Sequence, residues 1–226
     1  MQRVCFKTSS ELSRLVKPFK LIIAVVLLCV AGFLLQRFFN PQPIAEQAGP
    51  PAGLGQVVAE QAAKAISEQG EVLVLDWPGD SVDSQSQRAA FKRQMETYKN
   101  IKVSYRDFEK REVSMTGAIS FDQFAAEISK HPNAAAVISF LGINSFSDAQ
   151  IASLPKPCPK LVVSGWHERT VRNGLNKGVI AVAVMCRELT ELPTNTPKTP
   201  RQWFDRYNYL LTPQGKVDSL AANAQN

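Results

Sequence analysis

Residues 161–185 read LVVSGWHERTVRNGLNKGVIAVAVM, and the order of patterns within them decides the fold. Two short apolar runs, Leu161–Gly165 and Val179–Met185, flank a polar stretch of helical length, Glu168–Asn176, which Lys177-Gly178 brings to a stop. Runs of Val, Ile and Ala without polar alternation fit strands covered on both faces. The same alternation extends upstream. Glu71–Asp76 (EVLVLD), Ile101–Tyr105 and Ala134–Phe140 (AAAVISF) read as strands. Between them, Val57–Gln69 stops as a helix at Gly70, and Ser84–Tyr98 carries Phe91, Met95 and Tyr98 on one helical face. Ser120–Lys130 turns Phe121, Phe124, Ala125 and Ile128 inward, and Asp148–Leu154 is a short helix. Helix and strand thus alternate five times. Right-handed crossovers then predict a three-layer α/β/α sandwich around a mostly parallel sheet of five or six strands, ordered 2-1-3-4-5.

The C-terminal 188–226 opens with a loop rich in Pro and Thr. Thr199-Pro200 starts a helical turn through Trp203 and Phe204, Tyr207–Leu211 can add a last strand, and the final dozen residues look frayed.

At the other end, Leu21–Gln36 (LIIAVVLLCVAGFLLQ) is sixteen residues without a charge. A helix of that stretch spans about 24 Å, short of a ~30 Å hydrocarbon core, but Phe19, Phe38 and Phe39 extend it and Lys20 and Arg37 can snorkel. A cleaved signal peptide is the competing reading. Against it, Gln-Arg-Phe-Phe-Asn-Pro follows Leu35 without a small-x-small pair, and Cys29 sits inside the apolar run rather than in a lipobox. The expected organisation is a cytoplasmic basic tail (1–20), a single transmembrane signal anchor (21–37), a Pro/Gly linker (38–54), an α/β lobe (55–187) and a C-terminal extension (188–226). Basic residues before the span place the N-terminus in the cytoplasm, and the domain outside the inner membrane.

Charge excludes one function class. The net +6 divides into +5 for residues 1–37, where six basic side chains face Glu11, and +1 for residues 38–226, with 20 basic and 19 acidic groups. The basicity belongs to the membrane tail, so nucleic acid is not an expected partner. Of four cysteines, Cys5 and Cys29 belong to the tail and span. Cys158 precedes the fourth strand and Cys186 follows the fifth. That sets them at opposite sheet edges, too far apart for a disulfide and expected to be small buried hydrophobes.

Residues from about 53 to 187 resemble the second lobe of the type I periplasmic sugar-binding proteins, the ribose-binding and Lac-repressor core family. GEVLVLDWPG, SQSQRAAFKRQMETY leading into NIKVSY, HPNAAAVISF and LVVSGWHERTVRNGLNKGVIAVAV carry the resemblance, with YNYLLTPQGKVDSL similar to the family's terminal strand. The resemblance implies a lobe whose partner lobe is missing, because 1–52 are anchor and linker. It also implies changed sugar contacts. The family's Arg in the second helix falls on Gln87, beside Arg88, and its Asn-Asp pair on Leu141-Gly142. Its Asp falls near Trp166 or His167, and the amide ending its fifth strand on Cys186. A buried hydroxyl without a partner costs about 1–3 kcal/mol, so monosaccharide binding is expected to be weak.

A parallel α/β sheet presents ligands at the carboxyl ends of its strands. There the sequence sets Asp76-Trp77, Leu141-Gly142 and Gly165-Trp166-His167, with Trp77 and Trp166 flanking Leu141 and roughly 10 Å apart. Either this is a stacking or partner-docking surface, or each Trp covers the sheet edge or packs on linker or tail. Asp76, Asp80, Ser81 and Asp83 crowd one loop without a calcium-loop spacing, and His131 and His167 stand apart from other ligands, so no metal or cofactor is expected. No phosphoacceptor Asp closes the third strand, where Phe140-Leu141 stands. DWPGDS lacks the hydroxyls of a flavodoxin loop, and no G-x-G-x-x-G, P-loop or nucleophile elbow is present. No enzyme chemistry is expected. The reading is a non-catalytic binding or scaffold module presenting Asp76, Trp77, Arg88, Leu141, Trp166 and His167 to another envelope protein or glycan. The alternative is a solute-binding or sensing component of a transport system, completed by a second subunit or a homodimer.

Overall fold

The computed structural model describes residues 49–217, apart from 78, 80, 116, 166 and 189–194. The tail, span and start of the linker (1–48), Asp80, Trp166 and the last nine residues lie outside the described residues. Among the described residues no helix is long and apolar enough to cross a membrane.

The elements follow the expected alternation. They are α1 (Pro50–Ala65), β1 (Gly70–Asp76), α2 (Val82–Met95), β2 (Ile101–Asp107), a 3-10 turn (Lys110–Glu112), β3 (Ala118–Ile119), α3 (Phe121–Lys130) and β4 (Ala134–Ser139). Then come β5 (Gly142–Ile143), α4 (Asp148–Ser153), β6 (Lys160–Gly165), α5 (Glu168–Asn176), β7 (Ile180–Cys186), α6 (Pro200–Tyr207), β8 (Asn208–Thr212) and β9 (Gly215–Val217). One sheet runs β2-β1-β4-β6-β7-β8-β9. Its first five strands are parallel, in the anticipated order. The sheet has seven strands rather than five or six, because β8 returns antiparallel against β7 and β9 folds back on β8. A small parallel pair, β3 with β5, stands apart from it.

Side chains alternate across the sheet with period two, and this divides the core into two layers. Leu73, Leu75, Val137, Leu161, Val163 and Ala183 face one layer, with Phe124 and Ile128 of α3 and Val171 and Leu175 of α5. Val72, Val74, Ala136, Ile138, Val162 and Val184 face the other, with Val57 and Val58 of α1, Phe91 and Met95 of α2, and Phe204 of α6. Both faces are covered, which is why the strands read as continuous apolar runs. Local signals set the helix starts. Ser120 with Gln123 and Ser147 with Gln150 form reciprocal capping boxes, and the Thr199 hydroxyl caps α6 ahead of Pro200.

Residues 50–54, expected to close the linker, instead form the start of α1. Pro50 and Pro51 occupy the first turn, where a missing N–H costs nothing. Gly53 and Gly55 allow the helix to lie against its neighbours: an added Cβ would meet the Pro200 carbonyl at 2.3 Å and the Gln87 carbonyl at 2.1 Å. The C-terminal residues 200–212 also belong to the packed structure, since Phe204, Leu210 and Leu211 are buried. Cys158 and Cys186 are both free, and Cys158 is half-buried. Cys186 is exposed, against expectation, because it ends β7 at the sheet rim.

Candidate functional site

The carboxyl ends of the parallel strands bring together Asp76 (β1), Asp107 (β2), Ser139 (β4) and the residues after β6. Asp76 is buried, at 6% exposure, at the last position of β1. Its Oδ1 accepts from the Trp77 backbone N–H at 2.8 Å, and its Oδ2 lies 3.7 Å from the Arg88 guanidinium. Arg88, one turn and a half into α2, donates twice to Asp107, at 2.8 and 3.2 Å. The same guanidinium lies over the Tyr105 ring, 4.4 Å from its centroid. Arg88 is therefore held on three sides.

Burial pushes the Asp76 carboxyl above its ordinary value, with Arg88 and the Trp77 N–H pulling the other way. Burial also opposes charge on Arg88, but its bond to Asp107 and the nearby carboxylates hold the guanidinium above its usual range. Tyr105 is raised chiefly by burial, partly offset by Arg88.

Two further polar groups at this edge are engaged. The Ser139 hydroxyl, fully buried, donates to the Leu141 carbonyl at 2.8 Å, and the Ser164 hydroxyl donates to the Phe140 carbonyl at 3.2 Å. This turn corrects the expected surface between two tryptophans. Phe140 N–H bonds the Leu75 carbonyl, the chain enters β5, and Leu141 drops into the core at 4% exposure. It presents nothing to a ligand. Trp77 is exposed at 38%, Trp166 lies outside the described residues, and His167 is exposed at the start of α5, where its carbonyl accepts from the Thr170 hydroxyl.

Sequence reasoning missed Asp107 and Tyr105, which complete the Arg88 site. A signal was there: β2 neighbours β1, and Asp107 stands directly beside Asp76 in their parallel register. It missed most of the exposed apolar side chains as well. Three of the four exposed large hydrophobic residues among those described, Trp77, Val82 and Met115, lie in or beside the loops that follow β1 and β2. Among the described residues no three His, Cys, Asp or Glu side chains group as metal ligands. The ends of β1 and β2 thus combine an ionic cluster, buried at Asp76 and about half exposed at Asp107, with the exposed side chains of Trp77 and Val82.

No family model and no curated protein matches the chain. Solved structures do. A sugar-binding protein of a sugar ABC transporter from Bacillus halodurans superposes with a TM-score of 0.50 at 13% identity, over 74% of this chain and 63% of that one. A solute-binding protein from Agrobacterium vitis, bound with α-D-tagatopyranose, gives a TM-score of 0.44 at 25% identity, over 61% of this chain and 45% of that one. An arabinose-binding protein from Geobacillus stearothermophilus gives 0.46 at 15%, over 61% and 46%. This chain spans about half the length of the solute-binding proteins from Agrobacterium, Geobacillus and Burkholderia that it matches. What the chain shares with the Bacillus halodurans protein is an α/β fold.

Proposed function

We propose that this chain is a non-catalytic binding module, anchored by residues 21–37 with its lobe outside the cytoplasmic membrane, that docks another envelope protein or a glycan through the edge around Trp77. The observation that carries this reading is the closed state of the strand-end polar groups. Arg88 donates to Asp107 and pairs with Asp76, and Ser139 and Ser164 bond the chain, while Trp77, Val82 and Met115 are left to solvent. A sugar entering here would have to break an ion pair to gain a hydroxyl contact, whereas a partner's apolar surface loses nothing by covering Trp77.

The apolar run 21–36 and the basic residues before it support the anchor and its orientation. The likeness of fold to sugar-binding proteins supports the second reading, a solute-binding component completed by another subunit or a second copy.

The test is chemical crosslinking in the native membrane followed by capture of the full chain. Wild type is expected to bring down a discrete partner, and Trp77→Ala to lose it with an unchanged melting midpoint. Equal capture by both proteins would move the docking surface away from this edge.

A further inference from the structure

At the far end of the same sheet edge, a groove of about 660 Å³ runs between the end of β7 and α6. Arg187, which directly follows β7, and Lys198, Gln202 and Arg206 line it together with Asn195 and Asp205. In the strand order, β7 is three steps from β1, about 14 Å, so the groove is separate from the Trp77 rim.

Its chemistry is one-sided. Among the described residues that line it stand three cations and one carboxylate, and that carboxylate, Asp205, is buried and lies 3.5 Å from Arg201. Both amides are pinned through their oxygens. Asn195 Oδ1 accepts from Arg206 at 2.7 Å, and Gln202 Oε1 accepts from the Lys198 backbone N–H at 2.8 Å. Each amide therefore keeps its NH2 group as the free end. Lys198 has no carboxylate partner among the described residues, and the one side-chain hydrogen bond Arg206 makes there ends on a neutral amide. Four residues thus offer donors, two of them charged, within a volume typical of small-ligand sites.

We propose that this groove binds a small anionic solute, its carboxylate or phosphate oxygens held by Lys198 and Arg206 and its remaining acceptors met by the amides of Asn195 and Gln202. A donor-lined groove discriminates against a neutral sugar, which would leave the two cations without an anion.

The experiment titrates the full chain calorimetrically with glucuronate, glucose 6-phosphate and glucose. The expected result is saturable binding of glucuronate or glucose 6-phosphate, weakened by added salt, with none of glucose at the same concentrations; whichever anion binds separates a carboxylate source from a phosphate one. Lys198→Gln and Arg206→Gln are each expected to weaken that binding by about tenfold, the loss of one charge-assisted hydrogen bond, with the unliganded midpoint unchanged in the Lys198 variant. Lys198 is exposed, so its variant folds even if Arg206→Gln, which loses the Asn195 bond, does not. Trp77→Ala is expected to leave the affinity untouched, so this site and the docking edge fail separately. No saturable binding of either anion, binding of glucose equal to both, or full affinity in the Lys198 variant would overturn the proposal.

Discussion

Gly55→Ala is expected to cost about 3 kcal/mol and to lower the melting midpoint by roughly 6–12 °C. The new methyl would stand 2.1 Å from the Gln87 carbonyl oxygen and 3.0 Å from the Phe91 backbone nitrogen. All the atoms it meets are backbone of α2, so relief requires α1 and α2 to separate. That shift would carry Phe91 out of its contacts with Val72 and Val74 in the core. Alanine improves helix propensity by about 1 kcal/mol over glycine, too little to offset the clash. Gly174→Ala is the internal comparison. Its methyl meets Ile180 side-chain atoms, the terminal carbon at 2.6 Å and Cγ1 at 2.8 Å, so a side chain rather than a helix backbone must give way. Calorimetric melting should rank Gly55→Ala well below Gly174→Ala, and equal midpoints would mean that α1 and α2 do not pack this closely.

The second large effect belongs to the ionic cluster. Arg88→Ala is expected to destabilise the lobe by about 1–3 kcal/mol at neutral pH, below the cost of breaking a fully buried pair because Arg88 is itself a quarter exposed. The variant leaves Asp76 buried with one N–H to its carboxylate. The pH dependence has a definite sign. Burial already raises the Asp76 carboxyl, and removing Arg88 removes the largest opposing influence, so it rises further. A carboxyl raised in the folded state weakens that state once it ionises and ceases to do so when protonated. The stability gap between wild type and variant should therefore be widest at neutral pH and narrow as pH falls through the folded value of Asp76. Urea unfolding across that range reads the gap directly, and a gap that widens on acidification would show that Asp76 is not the group left behind.

Most of the fold was legible because burial on both faces makes a strand read as an unbroken apolar run, and because Lys177-Gly178 and Ser120 mark helix ends by their own chemistry. The bounds of α5, 168–176, are those anticipated. What was not legible depended on tertiary contact. Pro50, Pro51 and Gly53 have the composition of a linker, and only the approach of Pro200 to Gly53 and of Gln87 to Gly55 explains why small residues stand in a helix there. Leu141 follows a strand and could as well have faced solvent; the turn into β5 buries it. Arg88 was visible as a residue near a ligand position, but its partner Asp107 lies nineteen residues away at the end of β2. β9, three residues long, carries too little pattern to be read in advance.

Under the proposed function, the strand-end polar groups serve the lobe and not a sugar. The most direct test is the melting midpoint of the full chain in rising concentrations of neutral monosaccharides, since a ligand that binds the folded state must raise it. A cooperative transition whose midpoint stays flat across the series is the predicted result. A midpoint that climbs with the concentration of any one of those sugars would contradict the claim and restore solute binding as this lobe's work.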